Sequence, residues 1–245
     1  MWYSQLTFFV ILTTACNFID FEKGNGEIIS EKRMMDTFTE VQLIGNYEIG
    51  LKKGPKGQLV VVTDSNLLEF ISSEVINGVL IIESNKKIRS EGGIKIYITY
   101  QELEAIKSVG ASVIKTENTL VSDRFELEIP GAGLIDLEVD VNDLEITLAG
   151  AGLVKLKGRA ENQSISLNGV GSFEAFNLES RFCKVTVSGM GGAEINVKEN
   201  LIARVNGIGS IKYRGNPHTI DDKISGIGTI SAVDEDDTSG HRETI

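Results

Sequence analysis

The sequence is poor in the residues that staple, kink or catalyse. Its 245 residues include 2 cysteines, 3 prolines, 2 histidines and 1 tryptophan. Two cysteines cannot build a disulfide framework. Three prolines are too few for a collagen-like chain, even with 26 glycines present. Basic residues are the minority, 24 Lys and Arg against 35 Asp and Glu, for a net charge of -11. That balance argues against nucleic acid as a partner, because phosphate binding needs a basic face. The 41% hydrophobic share is too high for a disordered chain, and the length can bury a sizeable core in one or two domains.

Residues 6–12 read LTFFVIL, closed by Thr13, Thr14, Ala15 and Cys16. This run is far shorter than the ~20 apolar residues of a membrane-spanning helix. It fits the hydrophobic region of a secretory signal with a small-residue cleavage site. The Cys directly after Leu12-Thr-Thr-Ala resembles a bacterial lipobox. That resemblance implies cleavage before Cys16, lipidation there, and an exported protein anchored by lipid in the cell envelope. Cys183 is then the remaining thiol of the mature chain, in the strand-like FCKVTV. The histidines, His218 and His241, offer it no evident base, so its expected role is structural.

A repeat dominates the second half. The segments SVGASVIK, IPGAGLIDL, LAGAGLVKL, LNGVGSFEA, VSGMGGAEI, VNGIGSIKY and ISGIGTISA place their first glycines at Gly110, Gly131, Gly150, Gly169, Gly189, Gly207 and Gly226. Six of them are Gly-x-Gly doublets, completed by Gly133, Gly152, Gly171, Gly191, Gly209 and Gly228, and the spacing is 18–21 residues. Two, four and six residues from the first glycine the columns are almost wholly apolar, for example Ile129, Leu148, Leu167, Val187, Val205 and Ile224. Period-two alternation is the strand signature. The column five residues after the glycine is polar and often changes sign: Lys115, Asp136, Lys155, Glu174, Glu194, Lys212, Ser231. Opposite charges then face each other if successive repeats stack about 4.8 Å apart; Glu174 beside Glu194 is a mismatch.

Each repeat is therefore expected to be one coil of a parallel β-helix, with the glycines at a corner. Glycine suits the corner because it tolerates positive φ and because its missing side chain lets a narrow core close. A β-sandwich of hairpins is the alternative, but it has no reason to keep a constant register.

The first half lacks the repeat. FTEVQLIGNYEIGLKKG reads as two short strands around Gly45. QLVVVT, VLIIES and IKIYITY read as strands. DSNLLEFISSEVING reads as a helix, with Leu67, Leu68, Ile71 and Val75 as its stripe and Asn77-Gly78 as its stop. The expected divisions are a signal peptide at 1–15, a linker at 16–35, a leading section at 36–107, repeat coils at 108–233 and an acidic tail at 234–245.

The order LIGNYEIGLKKG, VVTDSNLLEFISSEVINGVLII, KIYITYQELEAIKSVGAS and then Gly-x-Gly coils resembles the auto-transporter adhesin head GIN domain family. The resemblance covers residues 36 to about 233. It implies a right-handed parallel β-helix, export to the envelope of Bacteroidetes-type bacteria, and an adhesin-like role. It supplies no catalytic residues.

Motifs for chemistry are sparse. No doublet continues as Gly-x-Gly-x-x-Gly into a helix, as a phosphate cradle requires. The repeats are twice the length of calcium-binding nonapeptides and lack their Asp. No cofactor and no metal site is expected. Asp136, Glu138 and Asp140 share one outer face at ~7 Å intervals, a spacing compatible with glycoside hydrolysis; the competing expectation is a solvated face neutralised by Lys155 and Lys157. Glu126 and Glu128 invite the same reading. One column stands out: Ala111, Ala132, Ala151, Val170, Met190, Ile208 and Ile227, each one residue after the first glycine. Strict alternation turns it outward, as an apolar ridge through Met190, Ile208 and Ile227 that could bind a partner or a second copy. A bent corner would instead turn it inward. The expected function is a non-enzymatic binding scaffold for a glycan or protein ligand, with a carbohydrate-active enzyme or a purely structural envelope protein as alternatives.

Overall fold

The computed structural model describes residues 21–234. The expected signal peptide, Cys16, His241 and the tail beyond 234 lie outside the described residues. The chain is nearly all β, a solenoid of about seven turns with parallel stacked coils. Its principal strands are Ala105–Thr116, Leu120–Ile129, Ala132–Leu148, Ala151–Leu167, Val170–Val187, Met190–Val205, Ile208–Arg214, Thr219–Ile224 and Ile227–Ala232. Every pairing among them is parallel. The register is that of the repeat: Gly133 faces Gly152, which faces Gly171, then Gly191, Gly209 and Gly228.

The alternation of the sequence becomes the core. Ile129, Leu148, Leu167, Val187 and Val205 are buried in one column, and Ile135, Val154, Phe173, Ala193 and Ile211 in another. Each fully buried Leu, Ile or Val contributes roughly 1.5–3 kcal/mol. A second corner breaks the alternation in each coil. Between buried Val141 and Leu144 stand two exposed residues, Asn142 and Asp143; Arg181 and Phe182 do the same between Ser180 and Cys183. Polar ladders tie this corner: the Asn142 amide donates to Asp123 Oδ1 at 2.5 Å and the Asn162 amide to Asp143 Oδ1 at 2.8 Å. Arg181 donates to both Glu199 oxygens and to Glu161 from the coil before.

The corner glycines are required chiefly by close approach. A Cβ on Gly150 would collide with the carbonyl oxygen of Gly131, one on Gly169 with that of Gly150, and one on Gly189 with that of Gly169. Each glycine is thus imposed by the coil below it. Positive φ, the other expected reason, holds at Gly110 (φ 120°) but is absent from Gly131, Gly150 and Gly169.

The leading section departs from expectation in three places. FTEVQLIGNYEIGLKKG forms one strand, Glu40–Lys53, rather than two. It pairs along its length with Ala105–Thr116, placing Gly45 opposite Gly110, so the glycine column begins one coil earlier than the repeat suggests. Val79–Ser84 and Lys95–Tyr100 stack on that strand in turn. The expected helix is a short 3-10 turn, Ser65–Phe70, followed by the strand Ile71–Ile76. Asn77 (φ 53°) and Gly78 (φ 82°) make a two-residue turn that joins it to Val79–Ser84 as a hairpin. Asn-Gly with both φ positive is the turn whose twist matches paired strands, and this outweighs a helical stripe. The described part of the expected linker holds the strands Glu22–Lys23 and Ile28–Met34, the latter antiparallel to Gln58–Asp64.

Candidate functional site

The column after the first glycine faces outward. Val170, Met190, Ile208 and Ile227 are 51%, 52%, 53% and 71% exposed, and Ala111, Ala132 and Ala151 are exposed as well. The inward alternative fails because the glycines let the coils approach without rotating this position into the core. Register places each of the seven against the next. The result is a continuous apolar ladder: low over the three alanines, high from Val170 onward.

The low part is a groove. About 440 Å³ of open volume lies over Ala111, Ala132 and Ala151, between Val113 and Leu134 on one flank and Asn46, Tyr47, Gly93 and Ile94 on another. Leu134 is 55% exposed, whereas Tyr47 and Ile94 are buried. The floor's backbone groups are already used between coils: the Ala151 N–H donates to the Gly131 carbonyl at 3.0 Å. The Tyr47 hydroxyl donates to the Ile44 carbonyl at 3.1 Å, and burial pushes its pKa up to about 12. Glu48, on the rim, pairs with Lys95 at 3.9 Å. Beyond Asn46, Tyr47 and Ile94 lies a second hollow of about 260 Å³, reached by Phe21, Lys86 and Lys87.

The acidic candidates stand beside basic residues, and Glu138, Glu126 and Glu128 are ion-paired. Glu138 accepts from Lys157 at 2.8 Å and from the Thr119 hydroxyl at 2.7 Å, and the hydrogen bond from Lys157 is the main cause that holds its carboxyl below the ordinary range. A general acid needs the opposite shift. Asp136 lies between Lys115 and Lys155 in the register, and Asp140 beside Arg159. Glu126 and Glu128 pair with Arg124 and Lys107. Glu174 and Glu194, the like-charged neighbours, each take a lysine from the other side, Lys155 at 3.1 Å and Lys212 at 3.7 Å. His218 is exposed and acts on Glu199 only through its charge. Cys183 is buried, and burial pushes its thiol up to about 12, which fits a structural role. Among the described residues no cluster of His, Cys, Asp and Glu could hold a metal ion, and no helix is long and apolar enough to cross a membrane.

Sequence reasoning found the ladder but missed the groove. The groove's far flank comes from Asn46, Tyr47 and Ile94, and Asn46 meets Ala111 across a sequence gap of 65 residues. No local pattern carries that pairing.

The family model described as "Putative auto-transporter adhesin, head GIN domain" matches residues 37–217. Among solved structures, the chain is similar to a "putative adhesin" from Bacteroides fragilis, with 28% identity and a TM-score of 0.81, covering 86% of this chain and 99% of that one. It shares its fold with a "putative lipid binding protein" from Parabacteroides distasonis, at 22% identity and a TM-score of 0.71, covering 88% and 100%. A "putative adhesin" from Parabacteroides merdae has 20% identity and a TM-score of 0.64, covering 88% and 100%. No curated protein matches the chain.

Proposed function

The chain belongs to the auto-transporter adhesin head GIN domain family, and from that premise we propose that it is a non-enzymatic envelope adhesin, a rigid scaffold that presents its apolar ladder to a partner. The observation that carries this reading is the outward row Val170, Met190, Ile208 and Ile227, each more than half exposed. At ~4.8 Å per coil the row is roughly 15 Å long, and contiguous exposed apolar surface of this kind marks interaction sites. A protein surface suits it better than a glycan, whose hydroxyls need donors and acceptors that the row lacks. The neutralised carboxylates support binding without turnover. Lipidation at Cys16 would tether the scaffold to the membrane, with export directed by residues 1–15.

The test is a panel of immobilised surface proteins and glycans probed with the full chain and with Ile227→Asp. Saturable binding without turnover, lost in a variant that keeps its melting temperature, is the expected result. Hydrolysis of any glycan, or binding indifferent to the substitution, overturns the reading. Sedimentation of both forms reports whether the same row joins two copies. Metabolic lipid labelling of Cys16→Ala checks the anchor: label retained in that variant rules out Cys16.

A further inference from the structure

We infer that the groove over Ala111, Ala132 and Ala151 binds the alkyl chain of a long-chain fatty acid, with its carboxylate directed toward the hollow at Lys87. This inference concerns the alanine end of the ladder, apart from the row Val170, Met190, Ile208 and Ile227 that carries the adhesin reading, and does not rest on that reading.

The argument begins with what the groove withholds. Its floor is three alanines and the glycines Gly133 and Gly152, and its flanks are Val113, Leu134, Tyr47 and Ile94. Of its polar residues, Ser112 bonds Ser108, the Asn46 side-chain oxygen accepts from the Ala111 N–H, and Glu48 faces Lys95. The Tyr47 hydroxyl is spent on the Ile44 carbonyl, and the floor N–H of Ala151 on the Gly131 carbonyl. A peptide laid there would leave its own N–H and C=O groups without partners, and a sugar its hydroxyls, at a cost for each. A hydrocarbon leaves none. The volume of about 440 Å³ falls within the ~300–1,000 Å³ of small-molecule sites. The floor advances by one alanine per coil at ~4.8 Å, a linear run that suits one unbranched chain.

The second observation is electrostatic. The groove meets the adjoining hollow at Asn46, Tyr47 and Ile94, and that hollow is lined by Lys86 and Lys87. Lys86 is engaged by Glu22 at 2.7 Å. Lys87 is exposed, and among the described residues no carboxylate lies within ion-pair distance of it. Glu48 on the rim is matched by Lys95. One apolar trough opening beside one unmatched cation fits a ligand with a long apolar tail and a single negative end. Glu83 also acts on Tyr47 through its charge, so the carboxylate end is placed at Lys87 rather than at Tyr47; acids more than ~8 Å away are largely screened at physiological salt.

The experiment titrates the full chain carrying Cys16→Ser, which removes the proposed lipid attachment, with cis-parinaric acid, then displaces the probe with palmitate and with hexadecanol. Saturable one-to-one binding is expected. Ala132→Asp should weaken it by about tenfold or more, which is 1.4 kcal/mol or more, with circular dichroism and melting temperature unchanged; Leu134→Asp is the second variant should the first fail to fold. Lys87→Glu should weaken palmitate by up to about fivefold and leave hexadecanol unchanged. Ile227→Asp, on the adhesive row, should change neither. Three results overturn the inference: no saturable parinarate binding, equal losses in Ala132→Asp and Ile227→Asp, or association only with vesicles of phosphatidylcholine and phosphatidylglycerol. Failure here leaves the adhesion test standing, and the reverse also holds.

Discussion

Gly169→Ala and Gly133→Ala are the same chemical change in the same repeat, and their costs should differ sharply. At Gly169 the added Cβ meets three backbone atoms: the carbonyl oxygens of Gly150 and Ala149 and the carbonyl carbon of Gly150. No rotamer change can relieve a contact with backbone, and the backbone is pinned by the bonds from Val170 N–H to Gly150 O at 2.9 Å and from Gly169 N–H to Leu148 O at 3.2 Å. Overpacking costs ~1–3 kcal/mol where side chains can adjust, so about 3 kcal/mol is the expected gross figure here. The loss of unfolded-state freedom returns roughly 0.4–1 kcal/mol, for a net cost of about 2 kcal/mol or more. At Gly133 the nearest atoms are the side-chain methyls of Ile129 at 3.2 Å and Ile135 at 3.4 Å, which can move. Ser112 occupies the matching position one coil earlier, and no backbone atom of that coil is among the nearest neighbours of the added Cβ, unlike at Gly152 and Gly171 further up the column. Gly133→Ala should stay within about 1 kcal/mol of the parent. At ~2–4 °C per kcal/mol for a chain of this size, Gly169→Ala should lower the midpoint by at least roughly 4–8 °C. Urea and thermal melts followed by circular dichroism measure both. Equal midpoints, or a larger loss at Gly133, would refute the claim that the first glycine of the corner at Gly150, Gly169 and Gly189 is imposed by the coil beneath it.

Three further outcomes follow from buried polar and titratable groups. Gln163 is buried in the column of Leu144 and Cys183, and neither end of its amide has a hydrogen-bond partner; Gln163→Leu should raise stability by about 1 kcal/mol or more, read as a higher urea midpoint. Cys183, with its thiol pushed up to about 12 by burial, should resist a disulfide reagent at pH 8 in the folded protein and react at once in urea; fast native labelling would contradict the packing. Asp64 accepts the Gly26 N–H at 2.6 Å, and the Ser90 hydroxyl and that N–H hold its carboxyl below the usual range. Its contribution is therefore complete above the unfolded value of ~3.9 and is lost as pH falls toward the lower folded value. Protection of the Gly26 amide, its exchange rate relative to the intrinsic rate at the same pH, should fall in acid, and Asp64→Ala, which removes the acceptor, should show weak protection already at neutral pH. Unchanged protection in that variant would remove Asp64 as the clip.

The coils were legible because their pairing partners are also neighbours in sequence. Asp136 meets Lys155 and Glu138 meets Lys157 at a constant offset of 19, so one column reads directly as one ladder. The leading section hid its structure because its partners are distant: Gly45 meets Gly110 after five intervening strands that interrupt the period. The helical stripe Leu67, Leu68, Ile71 and Val75 misled because its first three members are indeed buried and the fourth packs against the core. They reach it from a 3-10 turn and a strand, and spacing alone cannot separate those from a helix. The two roles of glycine, positive φ and close approach, also look identical in sequence; only the position of the carbonyl one coil away distinguishes them. For the same reason the outward apolar row was visible, being local to each repeat, and the groove was not.

A stack of like coils needs a reason to end, and the two ends differ. At the first, antiparallel strands Gln58–Asp64 and Ile28–Met34 extend from the early coils and change the pairing direction, so no further parallel coil can add there. At the last described coil, Ile220 and Ile224 lie 45% and 43% exposed at positions that are buried in every coil before. Asp222 stands between them, opposite Ala203, in the column that runs through Leu127, Ile146, Ile165 and Val185. Any strand stacked on that end would take Asp222 out of water without a partner, a cost of several kcal/mol. An inward charge on an edge strand discourages end-to-end addition, as atypical terminal repeats do in other solenoids. With both ends blunted, the apolar surface left for association is the side of the solenoid, and the Gly-x-Gly corner that builds the stack is also what holds that surface outward.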